Sequence, residues 1–463
     1  MVIIGAGLTG LGAAHRLSEL GVDDYVVLEA NAEVGGLARS FRDDAGFTYD
    51  VGGHVFFSHY GYYDRVVKAA LGDEYTELDR QAWIWIENRF VGYPFQNSLA
   101  QLSPATTLEC ILGLIEAERQ AKSRPASFDD WMERVFGAGI TKHFMRPYNC
   151  KVWATPPELM SYQWIAERVS VPDLETVLRG VIANEPPVAW GPNGRFRYPR
   201  HGGTGTLCQR IAEPLHDRIE LCCPVVSVDP RDKVVYTADA RAWRYDMLLN
   251  TMPLNRFVAL LEHVPNRVAT MSQELAWTGT HVVGIGLNRP AGTDKNWIYF
   301  PEPDVPFHRV TYLSNYSPYM TPEPDQTLLL AETSYSKYKP TDRETIVDHV
   351  VDGLVHAGLL RAEERHLIVS RWRYSAAMTY PVPTRTRDDA LCPIHAWLTE
   401  QDIASRGRFG AWLYEVGNMD HSFMQGVEWV DFVLSDEPET TWIAPREHVV
   451  AARTIKQEDH RGR

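Results

Sequence analysis

The spacing of apolar positions changes several times along the chain, and each change predicts an element. The opening MVIIGAGLTGLGAAHRLSELG predicts a short apolar strand, a turn at Gly5, Gly7 and Gly10, and a helix that buries Leu11, Ala14 and Leu17 and stops at Gly21. A second strand, Tyr25 to Leu28, ends in Glu29. From about Ser103 to Gly180 the period is helical. Ser103 and Pro104 form an N-cap and N1 pair, and Leu108, Ile111, Leu112 and Ile115 predict one inward face. Ser127, with Asp130 at the capping-box position, predicts a second helix ending near Gly137. From Ile219 the pattern turns to short β-rich runs: Val225 to Val228, Val234 to Tyr236, Met247 to Asn250, His281 to Leu287, Phe307 to Leu313 and Thr327 to Glu332. Thr341 with Glu344 predicts a further helix start, with Ile346, Val350 and Leu354 inward. The stretch RGRFGAWLYEVGN reads as a loop, MDHSFMQGVEWVDFVL as a final helix, and TIKQEDHRGR as a frayed polar tail.

These elements predict an α/β protein: a Rossmann-like dinucleotide-binding domain with a helical insertion and a mainly antiparallel β-sheet substrate domain. The nucleotide-binding core is expected in three pieces, 1–96, 186–255 and 405–463, the first with sheet segments toward its end. The helical insertion takes 97–185 and the substrate sheet 256–404. The length of 463 residues agrees with more than one core. With 46 Lys and Arg against 60 Asp and Glu, the net charge is −14, which argues against a nucleic-acid partner and means that an anionic ligand needs a local cationic pocket. No apolar run approaches the roughly 20 residues that cross a bilayer, so no membrane insertion and a cytoplasmic location are expected. The six cysteines lack metal spacing; they are expected to be mostly core thiols, and no metal is expected.

Chemistry enters at the glycines. A strand, a glycine turn at Gly5, Gly7 and Gly10, a helix, and a strand ending in Glu29 make a dinucleotide site: pyrophosphate reaches the helix N-terminus and the carboxylate accepts a ribose hydroxyl. Three further segments favour FAD over a nicotinamide, because a flavin needs contacts along its ring as well. They are EVGGLARSF with Gly35, Gly36 and Arg39, YDVGGHVFFSHY with Gly52, Gly53 and His54, and YEVGN with Gly417 and Asn418. In this order they resemble the FAD fold of the amine-oxidase type.

The blocks YPFQNS, FMRPYNCKVWA, WIAERVSVPDL, WGPNGRFRYPRHGGTG, WIYFPEPDVPFHRVTYLSNYSPY and SRGRFGAWLYEVGNMDHSF resemble the UDP-galactopyranose mutase family, in its eukaryotic-like branch, from Gly5 to about Val433. The resemblance implies a flavin-dependent isomerase that interconverts pyranose and furanose forms of a UDP-sugar, with N5 of reduced FAD attacking the sugar C1. NAD(P)H is a candidate electron donor. It assigns uracil binding to Tyr93, Phe144 and Gln96, with Asn149 and Trp153 completing that face. Arg168 and Arg309 become the diphosphate arginines, Tyr299, Tyr316, Tyr380 and Tyr414 a ring of phenols, and Asn193 a neighbour of diphosphate and sugar. His54 belongs to a loop facing the flavin, and His59, Trp297 and Arg408 lie near the sugar. Lids are expected near Tyr93 and within or after the helical insertion. Met419 stands where fungal relatives carry an amide, and a shortened SNYSPYMTPEPDQTLLLAETS leaves the oligomeric state open. The alternatives are an amine-oxidase-like oxidoreductase, and another substrate such as UDP-arabinopyranose.

Overall fold

The computed structural model describes residues 1–120, 123–165, 169–183 and 194–442. The opening strand Val2–Ile4 lies at the centre of a five-stranded parallel sheet. Its neighbours are Val26–Leu28 and Leu248–Asn250, and the edges are Ile219–Glu220 and Ile403–Ser405. Strands far apart in sequence thus complete one parallel sheet, as such an arrangement with crossover connections requires. The helix Leu8–Glu19 follows the glycine turn and buries Leu11, Ala14 and Leu17 as expected.

A seven-stranded sheet forms the second layer. Its order is Ile368–Pro381, Trp277–Leu287, Thr327–Tyr335, Arg309–Tyr312, Trp297–Tyr299, Ala82–Ile86 and Arg89–Gly92. Every junction is antiparallel except that between Trp297–Tyr299 and Ala82–Ile86. The β-rich runs after Ile219 do not form one sheet. Val225–Asp229, Val234–Thr237 and Ala242–Arg244 make a separate three-stranded sheet. Short strands give no period that assigns them to one sheet or another; the partner decides.

Three helix expectations are corrected. Pro104–Arg119 starts as expected, with the Ser103 hydroxyl accepting from the Thr106 amide, but it buries Thr106, Thr107, Cys110 and Leu114. Leu108 and Leu112 are each 57% exposed. The cause is a close crossing with Phe128–Ile140: a Cβ at Gly137 would fall 2.1 Å from the Gly113 carbonyl oxygen, so the two backbones meet at glycines and turn the leucines outward. That second helix begins at Ser127 as expected and breaks at Gly137 (φ 71°), but it then resumes, through Thr141–Met145, into Arg146–Trp153. The helix placed at Thr341 starts later, at Ile346–His356, because Asp342 accepts from the Glu344 amide and the Thr345 hydroxyl and holds a turn there; Ile346, Val350 and Leu354 are buried as expected.

The final helix is Met419–Ser435, while the polar tail lies outside the described residues. Cys110, Cys208 and Cys223 are buried, Cys150 and Cys392 partly so, and Cys222 is exposed, so only half of the six are core thiols. Among the described residues no helix is long and apolar enough to cross a membrane.

Candidate active site

The first half of the site is a backbone cradle. A Cβ at Gly10 would sit 1.9 Å from the Gly5 carbonyl oxygen, so only glycine lets the opening helix begin this close to the strand. The Glu29 carboxylate is buried at the end of the next strand and accepts from the Ala6 amide at 2.8 Å and the Asn31 amide at 2.8 Å. The Gly35 amide donates to the Ala6 carbonyl, which folds Gly35 and Gly36 onto the first turn. Arg39 is held by the Gly36 carbonyl at 3.0 Å and the Tyr374 hydroxyl at 3.1 Å. Gly407 rests against Thr9 and donates to Gln425, bringing the late glycine loop alongside. Arg408 donates to the Thr379 and Gly417 carbonyls, each at 2.8 Å, and Asn418 stands at the N-terminal boundary of the final helix. Two helix N-termini, those of Leu8–Glu19 and Met419–Ser435, therefore open on one region lined by peptide groups.

The second half is a cleft of aromatic and charged side chains. Arg309 lies in register between Tyr299 and Glu332 on adjacent strands. Its Nε and Nη2 both donate to the Glu332 carboxylate, the latter at 2.9 Å, so Nη1 stays outside that pair. Burial pushes the Glu332 carboxyl up, but the Arg309 charge and its hydrogen bonds outweigh this and hold it at about 2. Glu332 Oε1 also accepts from the Gly53 amide at 3.2 Å. His54 Nδ1 is 3.1 Å from the Gly52 carbonyl oxygen, and burial lowers its pKa against the pull of Asp50 and Glu332.

Tyr93 and Tyr148 both contact Tyr299, with ring centroids 5.1 and 5.3 Å away. Phe144 is buried in a stack with Phe95 at 4.9 Å and Tyr148 at 5.2 Å. Trp153, Tyr380 and Tyr414 form one cluster, Trp153 to Tyr414 being 4.7 Å, and the Arg408 guanidinium lies 5.1 Å from the Tyr380 ring. Trp297 and Tyr316 pack edge to face at 6.4 Å. Gln96 is buried and donates to the Ser170 carbonyl at 2.7 Å; Asn149 donates to the Met145 carbonyl at 2.7 Å. His59 Nδ1 pairs with the buried Asp420 at 2.8 Å, beside the start of the final helix. Arg168 and Asn193 lie outside the described residues.

Sequence reading missed Glu332, Tyr148 and Asp420. Glu332 carried a signal: it is a lone carboxylate in the apolar strand run LLLAETS, a placement that requires a buried partner. Tyr148 stands four residues after Phe144 on one helical stretch, the spacing that stacks the two rings.

A cradle of this kind joined to a mixed sheet defines a flavin-dependent oxidoreductase-like protein. The profile described as flavin containing amine oxidoreductase matches residues 8–396, and the chain belongs to that family. Amine oxidase [flavin-containing] A of Sus scrofa is 26% identical over 272 residues, 55% of this chain and 49% of that protein. The chain thus matches about half the length of that relative, and only 7% of the possible lysine-specific histone demethylase 1 of Drosophila melanogaster, at 43% identity over 61 residues, 13% of this chain. Among solved structures, putrescine oxidase superimposes at TM-score 0.66 with 17% identity over 94% of this chain and 98% of that one, a likeness of fold alone.

The crystal structure of reduced UDP-galactopyranose mutase superimposes at TM-score 0.93, 40% identical over 96% of each chain. Within the wider family the chain is a member of the UDP-galactopyranose mutase family. FAD is the cofactor this membership brings, and the residues present fit it: the Gly10 approach leaves helix N-terminal peptide groups open for a pyrophosphate, and the buried Glu29 carboxylate lies against the same turn through the Ala6 amide, where it could accept a ribose hydroxyl.

Proposed function

We propose that the chain is a flavin-dependent nucleotide-sugar mutase, an isomerase interconverting UDP-galactopyranose and UDP-galactofuranose. The observation that carries this reading is Arg309, a cation presented from a sheet strand into an aromatic cleft that adjoins the FAD cradle. An amine or hydrocarbon substrate has no use for such a cation, whereas a diphosphate in a protein of net charge −14 requires one.

Gly5, Gly7, Gly10, Glu29, Gly35, Gly36, Arg39, Gly417 and Asn418 hold FAD, which, reduced, supplies an electron-rich ring nitrogen able to bond an anomeric carbon. The chain's own residues do the rest. Arg309 Nη1 meets the diphosphate and stabilises the charge that grows as the glycosidic bond opens. Burial pushes the phenols of Tyr299, Tyr316 and Tyr380 above their ordinary values, so at neutral pH they remain protonated and, with Tyr414, donate to phosphate oxygens. Tyr93 and Phe144 bracket the uracil, Gln96 reads its edge, and Asn149 and Trp153 close that face. Arg168 and Asn193 supply a second arm on the diphosphate. Trp297, His59 and Arg408 border the sugar, and the Gly52 to His54 loop faces the flavin. The aromatic walls keep water from the anomeric carbon while the ring is open.

The test is incubation of holoprotein with UDP-galactopyranose and chromatographic separation of products. A furanose product that forms only after reduction by dithionite or NAD(P)H, without net consumption of reductant, supports the assignment. Amine-dependent oxygen uptake without UDP-sugar conversion overturns it. The same assay with UDP-arabinopyranose sets the sugar preference.

A further inference from the structure

The arginine that would meet the diphosphate and the loop that would face the flavin are tied to one carboxylate oxygen. Glu332 Oε1 accepts from Arg309 Nη2 at 2.9 Å and from the Gly53 amide at 3.2 Å. The other oxygen, Oε2, takes the Arg309 Nε hydrogen. Glu332 is only 4% exposed, so solvent does not compete for these bonds. The loop reaches the pair because it has no side chain there. A Cβ at Gly53 would lie 2.7 Å from Thr311 Oγ1 and 3.4 Å from Arg309 Nη2, and one at Gly52 would lie 2.5 Å from Glu332 Oε1. The charge balance is equally direct. Arg309 and Glu332 neutralise each other, so an arriving diphosphate has to share the guanidinium with the carboxylate. A diphosphate that bonds Nη1 draws on the same guanidinium charge, which weakens the Nη2 bond and leaves Oε1 freer to take the Gly53 amide, and the next peptide is that of His54.

Resting on the function proposed above, we propose that Glu332 is a positioning residue that couples occupation of the diphosphate subsite to the backbone setting of the Gly52 to His54 loop. It acts through Arg309 and Gly53 and touches neither substrate nor flavin. Its carboxylate weakens diphosphate binding by competing for Arg309, and in return it orients the loop for the reaction.

Two variants of the holoenzyme test this, Glu332→Gln and Glu332→Asp, each assayed for UDP affinity by calorimetry, for turnover, and for the change in flavin absorbance on adding UDP. Removing the negative charge beside a phosphate site should tighten UDP binding by about fivefold or more, while turnover falls at least about tenfold and the UDP-induced flavin change is lost. Glu332→Asp keeps the charge but shortens the reach; UDP affinity should stay within about twofold of wild type, while turnover and the flavin change fall as in the amide variant. A purely structural role predicts weaker UDP binding in both. Unchanged or weaker UDP binding by Glu332→Gln overturns the proposal, as does wild-type turnover in either variant. Should the amide variant not fold, a wild-type flavin response to UDP in Glu332→Asp overturns it alone. Wild-type protein that fails to convert UDP-galactopyranose refutes the mutase assignment instead, and the UDP-affinity and flavin-absorbance comparisons still decide the coupling.

Discussion

The cradle and the cleft face one another but are built by opposite means. The cradle is made of main chain: the turn at Gly5 to Gly10 meets Gly35, Gly36 and Gly407, and contact distances at Gly5, Gly10 and Gly407 leave no room for a Cβ. The cleft is made of side chains on separate strands and helices, among them Arg309, Tyr299, Tyr93, Tyr148, Trp153 and Tyr414. A cofactor that stays bound is served by fixed peptide dipoles, which need no reorganisation. A substrate that comes and goes is served by groups that trade partners, as the Arg309 and Glu332 pair is built to do. Steric change should therefore break the cradle, and charge change the cleft.

The largest effect is expected from Gly10→Val, where the new side chain meets the Gly5 carbonyl. Flavin content, read from visible absorbance of purified protein, should fall more than about tenfold. A flavin-replete variant would show that the cradle is not steric. Next comes Arg309→Ala, which should keep bound FAD but lose at least about tenfold in turnover. It also strands buried Glu332 without its counter-ion, at a cost of about 3 to 5 kcal/mol in stability. Adding Glu332→Gln should restore the melting temperature without restoring turnover. If both recover, Arg309 is structural.

The third test is pH. Burial lowers the His308 pKa from 6.5 to about 3. The unfolded chain therefore takes up a proton that the folded chain refuses, and stability falls as pH drops from 6.5 toward 3. Glu332, held at about 2 against 4.5, adds a loss between pH 4.5 and 2, because its paired carboxylate stabilises the fold only while ionised. His308→Gln should flatten the slope of unfolding free energy between pH 6.5 and 4 by about 1.4 kcal/mol per pH unit. An unchanged slope would move the acid sensitivity away from the cleft strands. The smallest effect belongs to the helical insertion. Leu108→Ala, on the exposed side of its helix, should change stability by less than about 0.5 kcal/mol, whereas the buried Leu114→Ala should cost about 2 to 5 kcal/mol. Equal costs would contradict the glycine crossing.

How much was legible in advance follows the same division. The opening strand, glycine turn, helix and Glu29 were readable because their signals are local: a short apolar run, glycine spacing, and a carboxylate at a strand end. So were the caps at Ser103 and Ser127, where a hydroxyl meets an amide three residues on. The face of the helix after Ser103 was not, because Leu108 and Leu112 satisfy the helical period equally well inward or outward, and Gly113 meeting Gly137 decides. Nor was the sheet that each short strand after Ile219 joins.

The chain by itself therefore determined the cradle's turns, the helix starts and the family blocks, each written within a few neighbouring residues. Only the tertiary structure decided that Glu332 would take both Arg309 and Gly53. These contacts join residues 23 and 279 positions apart, and they are selected by strand register and burial, which no local pattern encodes.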